Sequence, residues 1–93
     1  MLSIRSLIWD NWNVPHIAHH NVVPDEVEEV CFGMYALREG YKGRIMIIGP
    51  TKAERMLVVV LDPKEEEGVY YVVTARPADR KERRIYQEEI GYH

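Results

Sequence analysis

The strongest constraint on the fold is the segment at residues 56–61, MLVVVL, which is apolar at every position. A strand with one solvent-exposed face alternates apolar and polar side chains. This unbroken apolar run therefore predicts a strand that is covered on both faces. Helices of the same chain can cover one face. The other face needs a second layer, and a second subunit is a candidate for it, because 93 residues leave no room for a second core.

Four other segments have the composition of strands. Residues 44–48 (RIMII) and 69–75 (VYYVVTA) are rich in β-branched or aromatic side chains, and residues 35–38 form a shorter, weaker run. Residues 2–9 (LSIRSLIW) predict a first, edge-like strand. Glycine and proline mark the links between the later runs, and links this short favour hairpins. We therefore expect an antiparallel meander of about four strands.

Two short helices are predicted between the first strand and the meander. The first spans residues 10–20, with Asn13 as its N-cap and Asn21 as a left-handed residue at its C-terminal end. Pro24 suits the first turn of the second helix, because the N–H groups there have no partner within a helix. The expected buried stripe of this second helix is Val27, Val30 and Cys31.

A third helix is predicted near the C-terminus. Asp79 and Glu82 have the spacing of a capping box, in which two side chains satisfy the free N–H groups of a helix start. On a helical wheel one side carries Ile85, Tyr86 and Ile90, and the opposite side carries Arg80, Lys81 and Arg84. Residues 1–93 therefore predict a single α+β domain with two short N-terminal helices, an antiparallel meander sheet and a C-terminal helix.

The apolar runs and the cysteine content favour the cytoplasm. The longest run has six residues, well below the ~20 that span a bilayer, and residues 1–9 are too short for the apolar core of a signal peptide. Cys31 is the only cysteine, so no internal disulfide can form, which is typical of a reducing compartment. We expect no association with a membrane.

The charges are segregated along the chain. The formal net charge is −3, which gives no general support for nucleic-acid binding. Residues 25–29 carry four carboxylates and no cation, whereas residues 76–84 carry five cations and two carboxylates. A locally basic site on an acidic protein is therefore compatible with the sequence.

Several kinds of site are disfavoured by the residue pattern. His16, His19 and His20 have helical spacing, but no carboxylate or cysteine lies at ligand spacing in the same segment, so we expect no metal and no other cofactor. One of these histidines as an acid–base group is the better interpretation. Cys31 on an apolar stripe indicates a core thiol. The glycines lack the spacing of a phosphate-binding loop.

Four arginines are expected to gather at one end of the sheet. In a meander Arg55 begins one strand and Arg76 ends its antiparallel neighbour, and the helix that carries Arg80 and Arg83 leaves from the same end. Fixed guanidinium groups suit a phosphate and the charge that develops on it during transfer. The alternative is a solvated rim on which these arginines pair with nearby acids. Arg44 is expected at the opposite end.

Several motifs together resemble those of BrnT-type toxins, which are the toxin halves of type II toxin–antitoxin pairs and are similar in fold to RelE-like ribonucleases. The resemblance covers most of the chain, and its most specific part is the strand end with the C-terminal tail. The residues that carry it are Ile8, Trp9 and Asp10; His19, His20, Asn21 and Val22; the PDEVEEV helix at 24–30; Arg44 leading to Gly49; Arg55; Thr74, Ala75 and Arg76; and the tail at 78–86, ADRKERRIY.

The resemblance implies a metal-independent endoribonuclease that a cognate antitoxin protein holds inactive, as a homodimer or a toxin–antitoxin heterotetramer. In such chemistry the ribose 2′-OH attacks the adjacent phosphate, which needs a base, cations and an acid. The expected catalytic residues are His20, Arg76, Glu82 and Arg83, with His20 or Glu82 moving protons. The expected RNA contacts are Arg44, Arg55, Arg80 and Tyr86. The alternative function is a non-catalytic interaction module that binds a partner or itself through its sheet.

Overall fold

A computed structural model describes residues 2–91 of the chain. A single 3₁₀ turn, Tyr41–Gly43, links the second and third strands. The helices and strands follow one another as β1 (Ser6–Ile8), α1 (Asn13–Ala18), α2 (Pro24–Cys31), β2 (Ala36–Glu39), β3 (Ile45–Pro50), β4 (Met56–Pro63), β5 (Val69–Pro77) and α3 (Arg80–Ile90).

The predicted α+β class is confirmed, but the sheet differs from the prediction in strand number and direction. It is a mixed sheet of five strands in the order β1-β5-β4-β3-β2. Strands β2 to β5 form the predicted antiparallel meander. Strand β1 lies parallel to β5 at the edge, with Ser6 opposite Val69. The parallel pairing arises because α1 and α2 carry the chain away from β1 before the meander begins.

Helices α1 and α2 cover one face of the sheet. The stripe predicted for α2 is confirmed, because Val27, Val30 and Cys31 are all buried. They pack in one cluster with Ile17 of α1 and with alternate residues of the strands, which are Ile47, Leu57, Val59, Leu61, Val72 and Ala75. This face holds the larger part of the core.

Helix α3 covers part of the opposite face. Its apolar side, Ile85, Tyr86 and Ile90, packs on Ile48 and Val58. Strand β4 is buried on the α1–α2 side at Leu57, Val59 and Leu61. On the α3 side it is buried at Val58 but only half-buried at Val60, so α3 supplies part of the second layer that was expected from a partner subunit. None of the helices in residues 2–91 has the length and apolarity that a bilayer crossing requires.

Asn13 ties the first strand to the core and is not the N-cap that the sequence suggested. It is the first residue of α1 and is fully buried. Its amide Nδ2 donates to the carbonyl oxygens of Ile8 (2.9 Å) and Val72 (3.0 Å), and its Oδ1 accepts the N–H of Asp10 (2.9 Å). The N-cap position is Trp12, which makes no side-chain cap bond, and Asp10 Oδ1 accepts the N–H groups of Trp12 and Asn13 from before the helix. The left-handed conformation predicted for Asn21 is confirmed at φ 60°.

Candidate functional site

The corner between β5 and α3 is the basic region that the sequence pointed to. The predicted capping box begins α3 there. Asp79 Oδ1 accepts the N–H of Glu82 at 2.8 Å, and Glu82 Oε1 accepts the N–H of Asp79 at 2.9 Å. These two bonds satisfy free N–H groups at the helix start and fix the Glu82 carboxylate against the end of the strand.

Glu82 is also paired with Arg76 through two parallel hydrogen bonds. Arg76 Nη1 donates to Oε1 at 2.8 Å, and Nη2 donates to Oε2 at 2.7 Å. The arginine lowers the pKa of Glu82, and the carboxylate in turn raises the pKa of Arg76. A guanidinium held by two bonds has a fixed orientation. The pair is consequently rigid and charged, and its two charges largely offset each other.

The four other cations of this corner lie on α3 and are exposed. Within residues 2–91 none of them has a carboxylate within 4.0 Å, since the ion pairs there involve other residues. The guanidinium of Arg83 donates weakly to the carbonyl of Ala78 at 3.5 Å, which keeps it close to the strand exit. These four unpaired cations are Arg80, Lys81, Arg83 and Arg84. They give the corner its positive charge.

Arg55 lies at the same end of the sheet but belongs to a different set of contacts. Its Nη1 donates to both carboxylate oxygens of Glu26 at 3.0 Å and to the carbonyl of Asn21 at 2.6 Å. Arg55 thus connects the start of β4 to α2 and to the link between α1 and α2. Because α2 covers the face opposite α3, Arg55 and Arg76 are held on different faces of the sheet.

The predicted convergence of Arg55 with Arg76 is therefore wrong, although both residues lie at the predicted end. The register of β4 and β5 shifts by one residue between Val60 and Leu61. Without that shift Arg76 would lie opposite Leu57, whose side chain is in the core beneath α1 and α2. With it, Arg76 lies opposite Val58, on the face that α3 covers. A β-bulge reverses the facing of a strand in this way.

Three other predicted site residues lie away from the corner. His20 is exposed on the link between α1 and α2, where its ring meets His16 edge to face at 6.0 Å and its carbonyl is 3.5 Å from Arg55 Nη2. It is on the α2 side of the sheet and does not approach Glu82. Arg44 precedes β3 at the far end, as expected. Tyr86 is half-buried, and its hydroxyl donates to the carbonyl of Met34 at 3.4 Å.

The structure has a cleft that the sequence did not reveal. It has a volume of about 880 Å³ and lies between α2, the β3–β4 turn and α3. We call it the α2–α3 cleft. Its walls include the acidic side of α2, the apolar residues that follow α2 and Lys52 of the turn, and Tyr86 lines it from α3. The run of four carboxylates at 25–29 was its only signal in the sequence, and such a run is ordinarily a solvated helix face.

Other chemistries find little support among the described residues. Residues 2–91 contain no group of three or more histidine, cysteine, aspartate or glutamate side chains placed to hold a metal ion. Cys31 is buried, and that burial raises the pKa of its thiol to about 12, so the reactive thiolate is scarce at neutral pH. A core thiol, as expected, is the interpretation that these facts favour.

The chain was also compared with known proteins. No protein-family model matches it, and a search of curated proteins finds no similar sequence.

Proposed function

We propose that the chain is an endoribonuclease of the toxin–antitoxin type that binds the scissile phosphodiester at the β5–α3 corner. The observation that carries the proposal is the fixed Arg76–Glu82 pair beside four exposed cations on α3 that form no ion pair within residues 2–91. A cognate antitoxin that holds the enzyme inactive is part of the same proposal. No metal is needed for the reaction, because the attacking hydroxyl belongs to the RNA itself.

The unpaired cations supply the attraction for RNA. Phosphate contacts from arginine and lysine account for most of the affinity of sequence-independent nucleic-acid binding. Arg83 follows Glu82 directly, and Arg80 begins the same helix, so all three belong to the first turns of α3. In the proposal Arg83 and Arg80 bind the non-bridging oxygens of the phosphate. Arg76, whose charge Glu82 already offsets, holds Glu82 in position.

Glu82 is the proposed base for the ribose 2′-OH. Its pKa lies below the ordinary value, chiefly because Arg76 stabilises the charged form, so it is deprotonated at neutral pH. The same interaction weakens it as a base, which predicts modest rates. His20 is not a partner in this step, since the sheet separates it from Glu82. The proton for the leaving oxygen then comes from water.

The direct test is cleavage of a fluorogenic oligoribonucleotide by the purified chain, with EDTA present to exclude metal catalysis. We expect cleavage of RNA and none of a substrate whose 2′-OH groups are replaced by hydrogen. Arg83→Ala removes a contact to developing charge, and such a loss costs on the order of 10²-fold in rate. Glu82→Gln should cost a similar factor, because the amide cannot accept the proton.

Arg5→Ala is the matched control. Arg5 is also an exposed arginine, but it precedes β1 beside the start of β5, at the end of the sheet opposite Arg76, so its removal changes the net charge by the same amount without altering the corner. We expect near wild-type cleavage from this variant. Equal losses for Arg5→Ala and Arg83→Ala, or intact RNA at high enzyme concentration, would contradict the assignment. In cells, expression of the chain alone should slow growth, and Arg76→Ala should relieve it.

A non-catalytic interaction module is the second candidate. The observation that favours it is that Arg55 pairs with a glutamate on one face of the sheet and Arg76 pairs with a glutamate on the other face. Because of these pairs, the predicted arginines do not meet in one pocket. This candidate predicts folded protein with no cleavage, together with a stable complex with a partner or with itself. Light scattering after size-exclusion chromatography distinguishes a self-associating module from a strict monomer.

A further inference from the structure

The α2–α3 cleft combines negative charge with apolar surface. Asp25, Glu28 and Glu29 line it from α2, and Phe32 and Met34 line it from the segment that follows. Phe32 and Met34 are 54% and 58% exposed, which is high for large apolar side chains. A volume of about 880 Å³ is in the range of clefts that bind small molecules.

The negative charge of the cleft is not neutralised within the described part of the chain. Glu28 accepts a hydrogen bond from the indole N–H of Trp9 (3.1 Å), and Glu29 accepts one from the backbone N–H of Lys52 (2.9 Å). Both donors are uncharged, so they orient the carboxylates without cancelling their charge. Three carboxylates against the one ammonium of Lys52 leave a net charge of −2 on the walls.

These properties narrow the choice of occupant. The carboxylates repel the phosphates of RNA, so the cleft is not a continuation of the basic corner. A simple cation would leave the apolar walls unused. The basic stretch of α3 on a second copy is a poor fit, because the apolar side of that helix is already packed on its own sheet. A peptide segment with both cationic and apolar side chains matches both kinds of surface.

We propose that the α2–α3 cleft binds a segment of a partner protein in which an apolar side chain is flanked by lysine or arginine residues. The apolar side chain lies against Phe32 and Met34, and methionine adapts readily to different shapes. The flanking cations pair with Asp25 and Glu29 at the rim. The site is separate from the corner proposed for RNA cleavage, so each proposal can fail without the other.

The test uses the full chain and fluorescein-labelled octapeptides as probes, with binding measured by fluorescence anisotropy at 0.15 M salt. The probes alternate lysine with leucine, glutamate with leucine, or lysine with serine. We expect the lysine–leucine peptide to bind at least about tenfold more tightly than the other two, since only it satisfies both surfaces. Asp25→Asn combined with Glu29→Gln should weaken its binding about five- to tenfold, and Phe32→Ser should weaken it by a similar factor.

Glu65→Gln combined with Glu66→Gln is the matched control, because it removes the same charge from the exposed β4–β5 turn. This control should bind the lysine–leucine peptide as the wild type does. Asp25→Asn alone is a second variant if Glu29→Gln disturbs the β3–β4 turn. The proposal is overturned if the lysine–serine peptide binds equally well or if the control loses as much affinity. It is also overturned if light scattering shows a wild-type dimer that Phe32→Ser converts to a monomer, because a second copy would then occupy the cleft.

Discussion

Replacement of Asn13 by alanine tests whether one buried amide joins β1, α1 and β5. The substitution removes both bonds from Nδ2 and the bond that Oδ1 accepts. The carbonyl of Val72 is buried and would lose its amide donor, which costs about 1–3 kcal/mol, and the two more accessible bonds contribute about 0.5–1.5 kcal/mol each. We expect the free energy of unfolding to fall by about 4 kcal/mol, the middle of these ranges and a large share of the ~5–15 kcal/mol typical of a domain.

Urea unfolding followed by circular dichroism measures this change as a shift in midpoint at constant slope. Asn13→Asp is a sharper variant, because it keeps the shape and the acceptor but loses both donors and buries a charge, so it should be less stable than Asn13→Ala. Asn11→Ala, at an exposed neighbouring position, should stay within about 0.5 kcal/mol of the wild type. A loss below about 1 kcal/mol for Asn13→Ala would show that water replaces the amide and would refute the reasoning.

Two further predictions concern ionisable groups. Because the folded state lowers the pKa of Glu82 from its ordinary 4.5, its charge stabilises the protein above that pH, and this contribution is lost as the pH falls through the folded-state pKa. We therefore expect the difference in the free energy of unfolding between the wild type and Glu82→Gln to shrink as the pH falls from 7 to 3, as measured by urea unfolding. A difference that grows on acidification would contradict the pairing of Glu82 with Arg76. Cys31, whose thiol pKa is about 12, should resist a disulfide exchange reagent at pH 8 until urea unfolds the chain; rapid labelling of the native protein would contradict its burial.

The meander was predictable because its signals are local. Residues 44–48, 56–61 and 69–75 are apolar runs joined by short links, and adjacent runs with short links pair with each other. The partner of β1 was not predictable in the same way, since the pairing of Ser6 with Val69 joins positions separated by about two-thirds of the chain, and no local pattern encodes it. Asn13 was misassigned for a related reason. An asparagine near a helix start usually caps it, and only the folded sheet provides Ile8 and Val72 as alternative partners.

The candidate site was predictable in part. The capping box at Asp79 and Glu82 is a local motif, and the structure has it as the sequence indicated. The end of the sheet at which Arg76 lies also followed from the hairpin. The face of the sheet on which Arg76 lies could not be predicted from the sequence. It depends on a single register shift opposite Val60 and Leu61, and the apolar run at these positions shows no change in pattern that would indicate the shift. One extra residue decides which helix the arginine meets.

The pairing of the first strand with the last has a consequence for folding during synthesis. A ribosome releases β1 before its hydrogen-bonding partner, β5, and two helices and three strands lie between them in the chain. Until then the amide of Asn13 has no Val72 carbonyl to bind, and α1 has no β5 surface beneath it. Because contacts this distant in sequence carry a loop-closure cost, we expect the nascent chain to complete its sheet only after β5 has left the ribosome.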